Sequence, residues 1–394
     1  MCDFDIVVPR RGTNSLKWDS RTDLLPLWVA DMDFRAPKPV IDAVIDRARH
    51  GVYGYAIFPD SYFAAIANWL ARRHSWTIQR DWITFSPGVV PALNIAVQTF
   101  TQPGDKVIVQ PPVYYPFFAA IEENGRRCVT NNLVYRDGYY SMDFEDLEEQ
   151  AHDPRVKLLI LCSPHNPVGR VWSRKELERL GQICLDNDIM IVSDEIHCDI
   201  VCRGKKHVPI ASLSEALAAN SITCMSPSKT FNLAGLQTAY AIIPDAKTRD
   251  CFAAANKVHR ANVFGLEALI AAYDGGEAWL ESMLDYVEGN LQFLRDFVAK
   301  RMPKVRVVPL EGTYLAWLDC AQVGLDPGEL DRLILEKARV WLDDGPIFGP
   351  GGAGFQRINL ACPRSILEKA LERLEEVVRV SLPATCPAHP RNIS

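Results

Sequence analysis

Four short runs constrain the fold of this chain more than any other feature: "KVIVQ" (106–110), "KLLILC" (157–162), "IMIVSDE" (189–195) and "ITCMS" (222–226). Each is rich in branched side chains and apolar on both faces, the pattern of strands buried on both sides in a parallel sheet. Amphipathic segments lie between them. In "SRKELERLGQICLDN", Ser173 and Glu176 match a capping box, and Leu177, Leu180 and Ile183 make one apolar stripe, so the segment predicts a helix. The repeated alternation predicts an α/β fold: a mostly parallel sheet flanked by helices, with right-handed crossovers. A further strand-to-helix turn runs from "WITF" into "SPGVVPALNIAVQTF", where Leu93, Ala96, Val97 and Phe100 share a face. The backbone N–H groups of Gly88, Val89 and Val90 at that helix start would favour an anion, although many such turns bind nothing.

At 394 residues the chain exceeds the size at which one core keeps growing, which predicts two domains. Long helical patterns at 277–302 and 364–381 flank "EGTYLAWLD", "DDGPIFGPGGAGF" and "QRINLACPR", a different rhythm that reads as a smaller α+β domain. The expected division is an N-terminal segment 1–45 packing on the small domain, a large domain 46–285 and a small C-terminal domain 286–394. The change falls near 280–290. The Pro-rich tail "LPATCPAHPRNIS" is expected to fray.

Composition limits the partners. Net charge is -6 and no long Lys/Arg run is present, which argues against nucleic acid and favours a small-molecule partner. No apolar stretch approaches the about 18 residues of a membrane span. "MCDFDIVVPRRG" carries acids where an export signal has bases, so a cytoplasmic location is expected. Eleven cysteines, an odd and scattered count, suit reduced thiols. In "DEIHCDIVCRGKKH", His197, Cys198, Cys202 and His207 invite a zinc reading, but their spacing fits none of the common paired patterns. Buried thiols and surface histidines are the reading adopted, and no metal is expected.

Chemistry gathers just beyond the apolar runs. "SPHNPVG" follows "KLLILC", Asp194 ends "IMIVS", and "SPSKTFNLAGLQ" follows "ITCM". In an open parallel sheet these carboxyl ends border the crevice where ligands bind. Asp194, at the end of an apolar strand, needs a cation or a proton; capping the next helix is the plainer alternative. Lys229 in such a crevice can form Schiff bases with carbonyls, although a lone lysine is more often a solvated loop residue. Ser226 and Ser228 suit a phosphate, or simply a turn. Taken together the set meets the needs of pyridoxal 5'-phosphate: a Schiff-base lysine, an acid for the pyridine nitrogen and a phosphate cup.

The chain resembles the fold-type I pyridoxal-phosphate enzymes, and within them the MalY/PatB group of cystathionine β-lyases of the class I/II aminotransferase superfamily. The resemblance runs in order from "LPLWVADMDF" through "GVYGY", "SPGVV", "PPVYYPF", "SPHNPVGRVW", "SDEIH", "SPSKTFNLAGL" and "GTYLAWLD" to "RINLACPRS". It implies that Lys229 is the Schiff-base lysine, that Asp194 faces the pyridinium nitrogen, that Asn166 bonds the ring oxygen and that Tyr114 stacks on the ring. The phosphate would rest on Gly88, Val89 and Val90 with Ser226 and Ser228, helped by Tyr55 from the partner of a homodimer. Arg357 would bind the substrate carboxylate bidentately. The implied reaction is β-elimination from an L-cysteine S-conjugate such as cystathionine, giving a thiol, pyruvate and ammonia, with Lys229 as the base and Tyr114 or Lys229 protonating the departing sulfur.

Two positions depart from relatives that transaminate. Gln237 stands where many of them carry an arginine that balances phosphate charge, and Val168 stands where threonine is usual. An aminotransferase is the nearest alternative, and Gln237 favours the lyase. Ser226-x-x-Lys229 also matches a penicillin-binding nucleophile motif, but no "SDN" or "KTG" accompanies it. A regulatory protein retaining only the fold is a third alternative, against which the intact set Lys229, Asp194, Asn166 and Arg357 stands.

Overall fold

The structure is a computed structural model that describes residues 3–380. Its central sheet has seven strands: β1 (Ile83–Ser86), β2 (Lys106–Val109), β3 (Arg127–Thr130), β4 (Val156–Cys162), β5 (Met190–Asp194), β6 (Ser221–Met225) and β7 (Ala239–Ile242). They lie in the order β1-β7-β6-β5-β4-β2-β3, and only β7 runs antiparallel to its neighbours. All four apolar runs read from the sequence are strands of this sheet.

Their two-faced apolarity has a direct structural cause. Val107 and Val109, Leu158 and Ile160 point into one cluster with Leu93, Ala96 and Val97. The alternate residues Ile108, Leu159 and Leu161 point into another, with Leu177, Leu180 and Ile183. Helices cover both faces, because neither face can be left to water. Among them are α1 (Lys38–His50), α2 (Asp60–His74), α3 (Val89–Phe100), α4 (Arg174–Asp186) and α5 (Val263–Gly275). The capping box of Ser173 and Glu176 starts α4.

A second sheet comprises β8 (Arg306–Val307), β9 (Leu315–Asp319), β10 (Asp343–Asp344) and β11 (Phe355–Asn359), all antiparallel, in the order β8-β9-β11-β10. It accompanies α6 (Glu277–Arg301) and α7 (Arg364–Val380). The residues read as the change of domain, 280–290, lie inside α6, which continues unbroken because buried side chains such as Leu280, Leu284, Leu291 and Leu294 recur along its length. Near the N-terminus, Leu25–Pro26 pairs in parallel with Val340–Trp341, and the Asp33 N–H bonds the Ala361 carbonyl. The N-terminal segment is thereby tied to the C-terminal part of the chain. The Pro-rich tail lies outside the described residues. Among the described residues no helix is long and apolar enough to cross a membrane, and the cysteines are free thiols.

Candidate active site

Parallel strands in register bring their carboxyl ends to one edge. Cys162 on β4 lies opposite Asp194 on β5, which lies opposite Cys224 on β6. The loops beyond these ends carry Asn166 and Lys229. Ser226 caps the four-residue helix Pro227–Thr230 that presents the lysine. The resulting cleft, of about 210 Å³, brings together Lys229, Asp194, Asn166, Tyr114 and both serines with Gly88, Val89 and Val90 at the start of α3.

Asp194 is buried, and among the described residues no cation pairs with it. Among the described residues its carboxylate accepts one hydrogen bond, from the Ile196 N–H at 3.1 Å. Burial pushes its carboxyl up to about 7, against the weaker opposing effects of that N–H and of Lys229. Lys229 is the complementary case. Its Nζ donates to the Ala30 carbonyl at 2.5 Å, and burial, seconded by Arg357, pulls the amine down to about 8 against Asp31 and Asp194. Burial raises the Tyr114 phenol, which stays protonated.

At the other end, α3 begins at Gly88 with no side-chain cap and no acid in its first turn. Gly88, Val89 and Val90 line the cleft at this helix start, where the first backbone N–H groups of a helix lack intrahelical partners, as an anion site requires. Ser226 is already engaged: its hydroxyl donates to the Thr238 carbonyl at 2.6 Å, and its Oγ accepts from the Ser228 N–H at 3.1 Å. Ser228, bonded to Ser226 Oγ at 2.8 Å, is the hydroxyl left to turn toward a ligand.

Arg357 on β11 sits behind the cleft wall rather than on it. Its Nη1 donates to Asn166 Oδ1 at 2.9 Å, and its Nη2 donates to the Trp28 carbonyl at 2.8 Å and to Asp343, the cross-strand residue on β10. The bond to Oδ1 orients the Asn166 amide so that Nδ2 is its free side. Tyr55 is fully exposed and does not reach the cleft of its own chain. His197, Cys198, Cys202 and His207 do not converge. The one candidate metal trio among the described residues is His74, Cys198 and Asp199, and there His74 and Asp199 bond each other at 2.8 Å.

Sequence reasoning missed the Ala30 carbonyl, Asp343 and the cleft-lining role of His197. A backbone carbonyl has no residue-type signal. His197 had one, its place three residues after Asp194 in "SDEIH". Its buried Nδ1 has no hydrogen-bond partner among the described residues, and burial holds its imidazole well below the ordinary value.

Fold and cleft together define an α/β protein whose parallel sheet presents a depressed lysine amine, an unpaired acid and an open helix N-terminus to one ligand. The chain belongs to the aminotransferase class I and II family, whose model matches residues 22–374. It is 46% identical over 382 residues to cystathionine beta-lyase PatB of Bacillus subtilis, covering 95% of this chain and 99% of that one. With the MalY protein of Escherichia coli it shares 34% over 390 residues, covering 96% and 99%. The crystal structure of cystalysin from Treponema denticola, which contains a pyridoxal 5'-phosphate cofactor, superposes with a TM-score of 0.93 at 38% identity, over 96% of this chain and 99% of that one.

Proposed function

We propose that this chain is a pyridoxal 5'-phosphate-dependent carbon–sulfur β-lyase acting on an L-cysteine S-conjugate such as cystathionine. The observation that carries the reading is the meeting of Lys229, Asp194 and Asn166 in one cleft, in a chain so close to a named cystathionine beta-lyase. The cleft fits the cofactor at three points. Asp194 lacks a cation, which a pyridinium nitrogen supplies. The N-terminus of α3 lacks an anion, which a phosphate supplies with Ser228 beside it. The free Nδ2 of Asn166 lacks an acceptor, which a ring oxygen supplies.

Bound there, pyridoxal 5'-phosphate would provide a Schiff-base carbonyl and an electron-accepting ring that weakens the Cα–H bond of an amino acid. The protein's part is positioning and proton transfer. Asp194, as a carboxylate, would hold a proton on the ring nitrogen, and Tyr114 would lie against the ring. Arg357 takes the substrate carboxylate, giving up part of its hold on Asn166 and Asp343. Lys229 Nζ removes the Cα proton, and its depressed affinity leaves enough free amine near neutral pH. The thiolate then leaves Cβ and is protonated from Lys229 or Tyr114, and the three-carbon remainder hydrolyses to pyruvate and ammonia.

The same reading includes a large domain at 46–285, a small one at 286–394 with α6 as their link, and an N-terminal segment 1–45 docked on the small domain. Pairing of Leu25–Pro26 with Val340–Trp341 supports that docking. It also includes a cytoplasmic homodimer in which Tyr55 completes the partner's phosphate site, supported by the full exposure of Tyr55 and the exposed Val52 and Ile57 beside it. The test mixes purified protein, pyridoxal 5'-phosphate and L-cystathionine without a keto acid and follows pyruvate and free thiol. Continuous equimolar release is expected. Turnover that appears only when a keto-acid acceptor is added would make the chain an aminotransferase instead.

A further inference from the structure

The segment Ala30–Asp33 is held from three sides. The Asn359 amide donates to the Val29 and Asp31 carbonyls at 2.8 and 2.7 Å, and the Tyr314 hydroxyl donates to the Ala30 carbonyl at 3.0 Å. From the segment beyond β6, Asn232 bonds the backbone of Met32 and Phe34, and Lys229 Nζ donates to the Ala30 carbonyl. From the N-terminal segment, Arg10 bonds Asp31 Oδ2 through Nη2 and Asp33 Oδ1 through Nη1, both at 2.7 Å. Lys17, fully buried, reaches Asp33 Oδ2 at 2.8 Å, the Asp31 carbonyl at 3.1 Å and Asp31 Oδ1 at 3.5 Å.

Two acids facing two bases cancel formally, and a partly buried set of this kind often holds a loop no better than apolar packing would. Its distinctive product is electrostatic. It fixes one carboxylate, that of Asp31, next in the chain to the carbonyl that holds the Lys229 amine, and mutes that carboxylate by a set amount. We propose that Arg10, Lys17 and Asp31 are positioning residues that set the proton affinity of Lys229, the Ala30 carbonyl holding the amine while the partly neutralised Asp31 biases it toward the ammonium. The inference rests on the reading of Lys229 as the reacting amine.

Other groups face Lys229 as well. Arg357 opposes the ammonium and Asp194 favours it; His197 stays neutral under burial and these cations; Tyr114 and Tyr314 are phenols raised by burial. Among the charged groups Asp31 acts most strongly on the amine, ahead of Arg357 and Asp194, and Lys229 in turn helps to hold Asp31 ionised. Arg10, Lys17 and Asp31, none of which lines the cleft, would therefore tune the base from behind it.

The test labels the full chain, prepared free of pyridoxal 5'-phosphate, with acetic anhydride across pH and reads modification of Lys229 by peptide mass spectrometry. Asp31→Asn removes a negative charge and should move the labelling midpoint down; Arg10→Gln unmasks Asp31 and should move it up, each by about half a pH unit or more. Midpoints that stay put in variants with unchanged thermal unfolding, or that move in the same direction, would overturn the proposal. Should Asp31→Asn fail to fold, Arg10→Gln decides alone, since its side chain is partly exposed and an unmoved or lowered midpoint is fatal. Unmoved midpoints alongside pyruvate release from cystathionine reject the tuning and leave the lyase reading standing; shifted midpoints without pyruvate do the reverse.

Discussion

Asp194 and Asp199 stand five residues apart in "SDEIHCD" and are equally buried, yet they do opposite work. Asp199 accepts from the Trp69 indole at 3.1 and 3.2 Å, is bonded by His74 at 2.8 Å, and accepts from the Thr230 hydroxyl at 2.8 Å. Burial pushes its carboxyl up, but those bonds and the nearby Arg73 outweigh it and hold the group below its ordinary value. Glu195, between them, is likewise surrounded by Ser193, His207 and the Ile210 N–H. Among the described residues the Asp194 carboxylate has one N–H and no cation. An acid supplied with donors is part of the fold, whereas one left without them is kept for something that arrives from outside.

The strongest way to break this contrast is Asp194→Asn. Cofactor-supported turnover should fall by about 100-fold or more, because an amide cannot keep a ring nitrogen protonated. Stability of the cofactor-free chain should hold or improve. Here the sign is unusual for a carboxylate. The folded group binds its proton more tightly than the unfolded one, so the folded state carries more protons between about pH 4 and 7, and stability falls as pH rises through that window. The slope approaches about 1.4 kcal/mol per pH unit for this group alone and should vanish in the Asn variant, as thermal melts across pH would reveal. Equal slopes in the two proteins would mean that Asp194 has a partner after all.

Asp199→Ala tests the other side. It strands the donors of Trp69, His74 and Thr230 in the interior and should cost about 3 kcal/mol by urea denaturation. Because Thr230 adjoins Lys229, turnover should fall too, but less than in Asp194→Asn. A loss under about 1 kcal/mol would erase the distinction between the two acids.

That distinction is invisible in the letters. The sheet is legible, because residues that must be apolar on both faces can sit only between two helix layers, and so is the cleft, because polar residues then collect at one edge of the sheet. Asp194, Lys229 and Asn166 follow from that rule together with the family resemblance. What separates Asp194 from Asp199 comes from Trp69 and His74, more than a hundred residues away in the chain, and only the folded topology brings them to one acid and not to the other. The engagement of Arg357 by Asp343 is hidden for the same reason: it depends on the register of β10 against β11. The course of α6 is legible too: the helical pattern read at 277–302 matches Glu277–Arg301, because buried apolar side chains recur along its length.

The same contrast recurs in miniature at the end of the cleft beside α3, where two serines of "SPSK" look interchangeable. Ser226 is spent: it caps the helix of Lys229 by accepting from the Ser228 N–H, and it donates to the Thr238 carbonyl. Ser228 has only the bond to its neighbour's oxygen, which it can give up to a ligand without stranding a backbone group. Ser226→Ala should therefore lower stability by about 1 kcal/mol, as loss of an N-cap does. Ser228→Ala should leave the melt almost unmoved and weaken pyridoxal 5'-phosphate binding by about threefold to tenfold, the worth of one hydrogen bond, in a fluorescence titration. If the two variants traded results, with Ser226→Ala sparing the fold and weakening the cofactor, then partner count in the cofactor-free chain would be a poor guide to which groups the ligand uses, and the assignment of Asp194 would lose its physical basis along with that of Ser228.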